Sequence, residues 1–219
     1  MVIAVDVDGT LFDGHTVAPA AITALRRARE DGHLLVVVTG RRWETLPAVL
    51  GPTLALFHRV VGEEGGFLAD VANDVVRLLA PPLDRSIVEA LRVAGVEHLD
   101  IGRVTVSAAA SDAGAFVGVS GSTQGRWHVV TNKDSVALSP VGHDKGTGLR
   151  SALADLDALD VPVLAIGDAG NDLPMFAVAT IAVGVANADR NVTEAGIALT
   201  KASFGDGVAE ALHHHLPTP

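Results

Sequence analysis

The 219-residue sequence has no cysteine, so disulfide bonds and thiolate metal sites are excluded. It has no apolar run approaching the roughly 18–20 residues that span a bilayer. Its first ten residues, MVIAVDVDGT, carry an acid at position 6 and lack the basic segment that opens a signal peptide. These absences lead us to expect a soluble, unexported, cytoplasmic protein. Lysine is scarce: there are three, within 16 basic residues set against 26 acidic ones. The net charge of −10 disfavours nonspecific binding to nucleic acid or to an anionic membrane, so neither is expected as a partner. An anionic substrate must then be drawn in by local positive charge rather than by the overall field. Internal repeats and low-complexity linkers are missing as well, and nothing in the sequence sets an oligomeric state.

What is present begins with VIAVDVDGTLFDG, residues 2–14. A hydrophobic run of the kind that becomes a buried strand is followed by Asp6 and Asp8, then Gly-Thr. Side chains two apart in a strand share a face, so two carboxylates are expected side by side where repulsion and dehydration are costly. Strand-like and helix-like segments then alternate. APAAITALRRARED has Ile22 and Leu25 at helical spacing, Pro19 near its start and Gly32 past its end. HLLVVVTG reads as a short buried strand and RRWETLPAVLG as a second helix. The C-terminal part repeats the pattern through GTGLRSALADLDAL, PVLAIGDAG, NDLPMFAVA, TIAVGVA, ADRNVTEAG and IALT, and closes with GDGVAEALHHHL. Alternating βαβα with continuous apolar strands predicts a parallel, Rossmann-like α/β sheet covered by helices on both faces.

The middle of the chain differs. GGFLADVANDVVRLL reads as a hairpin with an Asn-Asp turn. A Pro-Pro break, a helix and a mostly strand-rich run with one more small helix follow. Residues 81–140 are expected to be a small α+β insertion, with 1–80 and 141–219 forming the core.

Ligands of open α/β sheets bind beyond the carboxyl ends of the strands. Four stretches fall there: DVDGT with Asp6, Asp8 and Thr10; VVVTGR with Thr39 and the free N–H groups around Gly40; GHDKGTGL with Lys145 just ahead of a helix; and AIGDAGND with Asp168, Asn171 and Asp172. A hard divalent cation would neutralise such crowded carboxylates, and Mg²⁺ takes oxygen ligands of this kind together with substrate phosphate. Phosphoryl transfer needs little more than a positioned nucleophile, a metal and donors around the transferred group. A carboxylate can itself attack phosphorus.

These four motifs, in this order from residue 6 to residue 172, resemble those of the haloacid dehalogenase-like (HAD) phosphatase superfamily. The resemblance implies Asp6 as nucleophile and Asp8 as general acid and base. It implies that Thr39, Gly40, Lys145 and Asn171 bind or shape the phosphoryl site. Mg²⁺ would be bound by Asp6, Asp8 (through its backbone carbonyl) and Asp168, with Asp172 supporting them. The dehalogenases of the superfamily lack the second acid of the first motif, so Asp8 points to phosphate chemistry. The insertion occupies the position of the type-2 caps of the sucrose-phosphatase and Cof-like branch. In size it is similar to those of archaeal phosphoglycolate phosphatases, where such caps contact the leaving group. Members of that branch often have an Asn-Gly pair before the hairpin; here GEEGGFL puts Glu64 there, a negative charge near the expected substrate entry.

A calcium loop counted from Asp6 needs Glu at its twelfth position and finds Val17. GHDKGTGL lacks the Walker order of Gly, Lys and Ser/Thr. Arg41 and Arg42 are expected to be solvated and stay outside the site. Arg103, Arg126, His128 and Lys133 of the insertion are candidate contacts to an anionic leaving group, each more readily a surface residue. The consecutive His213–His215 do not share a helical face, which argues against a metal site. The expected activity is Mg²⁺-dependent hydrolysis of a small phosphorylated metabolite, a sugar phosphate or phosphoglycolate, through an aspartyl-phosphate. A phosphomutase of the same fold, a phospho-aspartate receiver and a silent phospho-ligand binder are the alternatives. A receiver is much shorter and carries its aspartate on a middle strand.

Overall fold

The apolar run Val2–Val5 forms β1, and all four residues are buried. A computed structural model describes residues 1–216. In chain order β1 is followed by α1 (Pro19–Glu30), β2 (Leu34–Val38), α2 (Leu46–Leu50), β3 (Arg59–Gly62), β4 (Phe67–Asp70) and β5 (Val75–Leu78). Next come α3 (Arg85–Val93), β6 (Asp100–Ile101), β7 (Val106–Ala109), α4 (Ala113–Ser122), β8 (Trp127–Asn132) and β9 (Ser135–Pro140). The chain closes with α5 (Lys145–Asp155), β10 (Val163–Gly167), α6 (Leu173–Phe176), β11 (Ile181–Gly184), α7 (Arg190–Glu194), β12 (Ala198–Leu199) and α8 (Phe204–His215).

Among the described residues the main sheet has eight strands in the order β12-β11-β10-β1-β2-β3-β4-β5. The first six run parallel, with Val2 opposite Val163 on one side and Leu34 on the other. The hairpin of β4 and β5 is added antiparallel on β3, so the sheet is mixed at that edge. β1 lies in the middle, and period-2 alternation divides its residues between two cores. Ile3 and Val5 pack with Leu25 of α1 and Val208 and Leu212 of α8. Val2 and Ala4 pack with Leu149 and Leu153 of α5 and Met175 and Phe176 of α6. Each fully buried aliphatic side chain contributes on the order of 1.5–3 kcal/mol. Because both faces are covered, the strands read as unbroken apolar runs.

The predicted helix over RRWETLPAVLG is shorter than expected. A 3₁₀ turn at Trp43–Thr45 leads into the five residues of α2, and another 3₁₀ segment, Gly51–Leu56, follows. Pro47 sits at the helix start, where its missing N–H costs nothing, while Gly51 at φ +50° ends the turn.

The second sheet has four antiparallel strands ordered β6-β7-β9-β8 and carries α3 and α4. It has a hydrophobic core of its own, built on Leu91, Val106, Phe116, Trp127 and Leu138. Glu63 ties it to the main sheet. This buried carboxylate accepts the backbone N–H groups of Arg103, Val104 and Thr105 at 3.0, 2.7 and 2.9 Å. Among the described residues no helix is long and apolar enough to cross a membrane.

Candidate active site

The site forms where β1 ends. The Asp6 N–H donates to the Ile166 carbonyl at 3.0 Å, continuing the ladder between β1 and β10. Strand alternation therefore holds through Asp6, which points to the same face as Val2 and Ala4, the face covered by α5. The first residue of α5 is Lys145, so the lysine lies inside the helix rather than ahead of it. Asp144 caps this helix by accepting the Thr147 N–H at 2.7 Å, and the Thr147 hydroxyl stands 2.9 Å from the Asp144 N–H. The cap thus fixes where Lys145 leaves the backbone.

The Lys145 Nζ is 1% exposed and donates to Asp6 Oδ1 at 2.6 Å and to Asp172 Oδ1 at 2.7 Å. The other Asp172 oxygen accepts the N–H groups of Asp168 and Ala169 at 2.8 and 3.0 Å. Asp168 follows β10 and accepts from the Thr10 hydroxyl at 3.0 Å and from the Lys133 ammonium. One carboxylate oxygen each from Asp6, Asp168 and Asp172 falls within a 4.8 Å cluster. Burial works against the Lys145 ammonium, but Asp172 and Asp6 outweigh it and hold its pKa well above the usual lysine range. Burial pushes the Asp6 and Asp168 carboxyls upward, against the opposing pull of Lys145 and Lys133 respectively. The cluster is thus short of positive charge even with two ammonium groups present. Its donors are all hard oxygen, which suits a divalent cation such as Mg²⁺.

Asp8 lies beyond the end of β1 rather than on it. The chain leaves the strand after β1 and turns at Gly9, whose φ is +85°. A Cβ at Gly9 would stand 2.2 Å from Asp168 Oδ2, so only glycine lets the turn pass this close. The Asp8 carboxylate instead takes a two-pronged hydrogen bond from Arg41, with Nε to Oδ2 and Nη2 to Oδ1 both at 2.6 Å. Arg41 is therefore part of the site, contrary to the sequence-based expectation of a solvated arginine. Its pKa is raised, chiefly by these bonds to Asp8. Arg42, also expected to be solvated, pairs with Asp100 of the second sheet at 2.6 Å.

Thr39 is fully buried, and its hydroxyl accepts the Arg41 N–H at 3.2 Å. Gly40 lines the cavity, with room for a Cβ closed off by Glu64 Oε1 at 2.4 Å. Glu64 is buried and accepts from Asn171 Nδ2 at 3.1 Å, and burial pushes its pKa up. Expected as a charge at the substrate entry, it forms a wall. Asn171 opens with Glu64, His128 and Asp144 onto a neighbouring cavity of about 370 Å³.

The main cavity, about 670 Å³, is lined by Asp6, Asp8, Gly40, Arg41 and Lys145 on one side. The β8–β9 turn, with Asn132, Lys133 and Asp134, lines the other. Of the other candidate contacts of the insertion, Arg103 pairs with Glu44 at 2.7 Å and Arg126 Nε donates to the Thr123 carbonyl. No motif marks Glu63 or Asn187 in the sequence. Asn187 Nδ2 donates to the Gly9 carbonyl at 2.7 Å and so braces that turn.

A family model for haloacid dehalogenase-like hydrolases matches residues 3–98 and 124–212. The chain is similar to a phosphoglycolate phosphatase of Haloarcula marismortui, with 32% identity over 95% of this chain and 94% of that protein. A phosphoglycolate phosphatase of Methanothermobacter thermautotrophicus is 31% identical over 98% of each. In three dimensions the chain resembles a haloacid dehalogenase-like hydrolase from Bacteroides thetaiotaomicron, with a TM-score of 0.80, 23% identity and coverage of 97% and 98%.

Proposed function

Because the chain belongs to the haloacid dehalogenase-like hydrolase family, we propose that it is a phosphatase that acts on a small phosphorylated metabolite through an aspartyl-phosphate on Asp6. The observation that carries this reading is the buried Lys145 held between Asp6 and Asp172 at the edge of the 670 Å³ cavity. Phosphoglycolate or a sugar phosphate is the substrate class, the first in keeping with the names of the related enzymes. Residues 81–140 act as a cap that excludes water and meets the leaving group.

In the first step an Asp6 oxygen attacks phosphorus and the bond from phosphorus to the leaving oxygen breaks. Asp8, the one cavity carboxylate gripped by Arg41, gives its proton to that oxygen. In the second step Asp8 takes a proton from water as the water attacks phosphorus. The bond to Asp6 breaks, inorganic phosphate leaves, and both carboxylates return to their starting states. Lys145 keeps the free Asp6 oxygen oriented and offsets charge on the phosphoryl group, while Thr39 and the Gly40 backbone border that group. Asp6 and Asp168, with the Asp8 carbonyl, would hold Mg²⁺, and Asp172 fixes them from behind through Lys145 and the Asp168 N–H. When bound, the cation supplies neutralising charge to the phosphoryl oxygens.

The test is phosphate release from a panel of phosphorylated metabolites, with Mg²⁺ and with EDTA, beside the Asp6→Asn variant. Release that needs Mg²⁺ and disappears in the variant is expected. Appreciable turnover by Asp6→Asn would sink the nucleophile assignment.

A further inference from the structure

Lys133 is the cation that the second sheet delivers to the catalytic carboxylates. It sits in the turn between β8 and β9, and its Nζ reaches across the cavity to Asp168 Oδ2 and to the Asn187 carbonyl at 2.9 Å. The other cations on the cavity wall are already engaged, Lys145 with Asp6 and Asp172 and Arg41 with Asp8. The remaining charged lining is acidic, including Asp13, Glu64, Asp100 and Asp134. A substrate with one phosphate finds its counter-charges at the floor. A substrate with a second negative group would meet repulsion everywhere except at Lys133.

A divalent cation on the carboxylate cluster would compete with the Lys133 ammonium for Asp168 Oδ2 and offset the negative charge that holds it there. The Lys133 side chain is 35% exposed, so its ammonium can then turn to an anionic group of the substrate. It lines the same cavity as Asp6, on the turn that the second sheet contributes, where the part of the substrate beyond the phosphate must sit. The neighbouring Asn132 is occupied in part by the Lys133 N–H at 2.7 Å, which shapes the turn that presents the ammonium.

We propose that Lys133 is a specificity-determining residue that reads a carboxylate carried close to the phosphate, and so selects small phosphorylated acids over neutral phosphate esters. This rests on the phosphatase reading above. The test compares 2-phosphoglycolate with 2-hydroxyethyl phosphate, which replaces the carboxylate by an uncharged hydroxymethyl group. A hydrogen bond between ammonium and carboxylate contributes about 1.5–3 kcal/mol, equivalent to about 10- to 100-fold. In Lys133→Met the ratio of the two kcat/KM values is expected to fall by that factor, and Lys133→Arg to recover part of it. An unchanged ratio overturns the proposal.

A second arm measures binding of the same two compounds by calorimetry with Mg²⁺, in Asp6→Asn with and without Lys133→Met. Weaker binding of 2-phosphoglycolate alone supports the proposal. Equal effects on both compounds, or no binding of 2-phosphoglycolate with lysine present, overturn it. If the wild-type chain releases phosphate from neither compound nor from any member of the metabolite panel, the phosphatase reading fails by itself and the calorimetric arm still decides the role of Lys133.

Discussion

Replacing Lys145 with methionine keeps most of the side-chain volume and removes the ammonium between Asp6 and Asp172. In the folded protein those carboxylates are 5% and 0% exposed, so solvent does not take over the lost contacts at 2.6 and 2.7 Å. Breaking a buried ion pair by deleting one partner costs about 3–5 kcal/mol. For a chain of this size each kcal/mol lowers Tm by about 2–4 °C, so the variant should melt about 6–20 °C below wild type at pH 7.5. The loss should depend on pH. Without Lys145 the Asp6 carboxyl loses the ammonium that opposes its burial, so its pKa stays above the unfolded value near 3.9. Stability is then fully present below that pH and lost as pH rises through the folded pKa. The raised pKa of Lys145 in wild type contributes stability that is kept up to about pH 10.4 and lost above it, so it adds no slope in the acid range. Asp6 in wild type is already pushed up by burial, so the quantity to read is the difference between the two proteins. Circular dichroism melts at pH 4.5 and 7.5, in EDTA, should show a wide gap at the higher pH and a narrow one at the lower. A variant that melts with wild type at pH 7.5, or a gap that ignores pH, would refute the reasoning.

Two other positions give independent checks. Glu63→Ala leaves the buried backbone N–H groups of Val104 and Thr105, and the partly buried one of Arg103, without an acceptor, at roughly 1 kcal/mol or more each. Thermal melting should show a loss of about 3 kcal/mol, and a native Tm would mean that this carboxylate does not anchor the second sheet. Glu64→Gln keeps an acceptor for Asn171 while removing a buried acid whose pKa is raised by burial. A raised acid costs stability as pH climbs from its unfolded toward its folded pKa, so the variant should melt above wild type at pH 8 and with it at pH 4. Equal Tm values at pH 8 would show that Glu64 is not strained by burial.

How far the molecule is legible in its sequence depends on the range of the interaction. β1, β2 and β10 follow from apolar runs buried on both faces, and the positions of Asp6 and Asp168 follow because each lies one residue beyond such a strand. Lys145 is legible through its motif rather than its surroundings, since its two partners are 139 and 27 residues away. The expectation that Asp6 and Asp8 share a strand face needs β1 to run on past Val5, where it ends; both carboxylates line the cavity all the same. Arg41 follows a strand end, where arginines are ordinarily solvated, and nothing local says that it bends back to Asp8, 33 residues earlier. Lys133 in Asn-Lys-Asp reads as a solvated turn, and only the placement of the second sheet over the strand ends brings it to Asp168. Glu63 and Glu64 look alike in sequence. Left-handed backbone at both, φ +49° and +55°, sends one toward the loop at 103–105 and the other toward Asn171.

β1 is synthesised well before its second neighbour and so is completed late. One of its edges is filled by β2 (Leu34–Val38), while the other waits for β10 (Val163–Gly167). At translation rates of roughly 5–20 residues per second the wait lasts about 10–30 s. Through that interval Val2–Val5 presents an open row of backbone donors and acceptors on a strand without a single charge. Such an edge is a template for pairing between chains. The two carboxylates that follow it, at Asp6 and Asp8, are the first side-chain charges able to discourage that pairing. The acids that serve the finished enzyme would then also guard the nascent chain against aggregation.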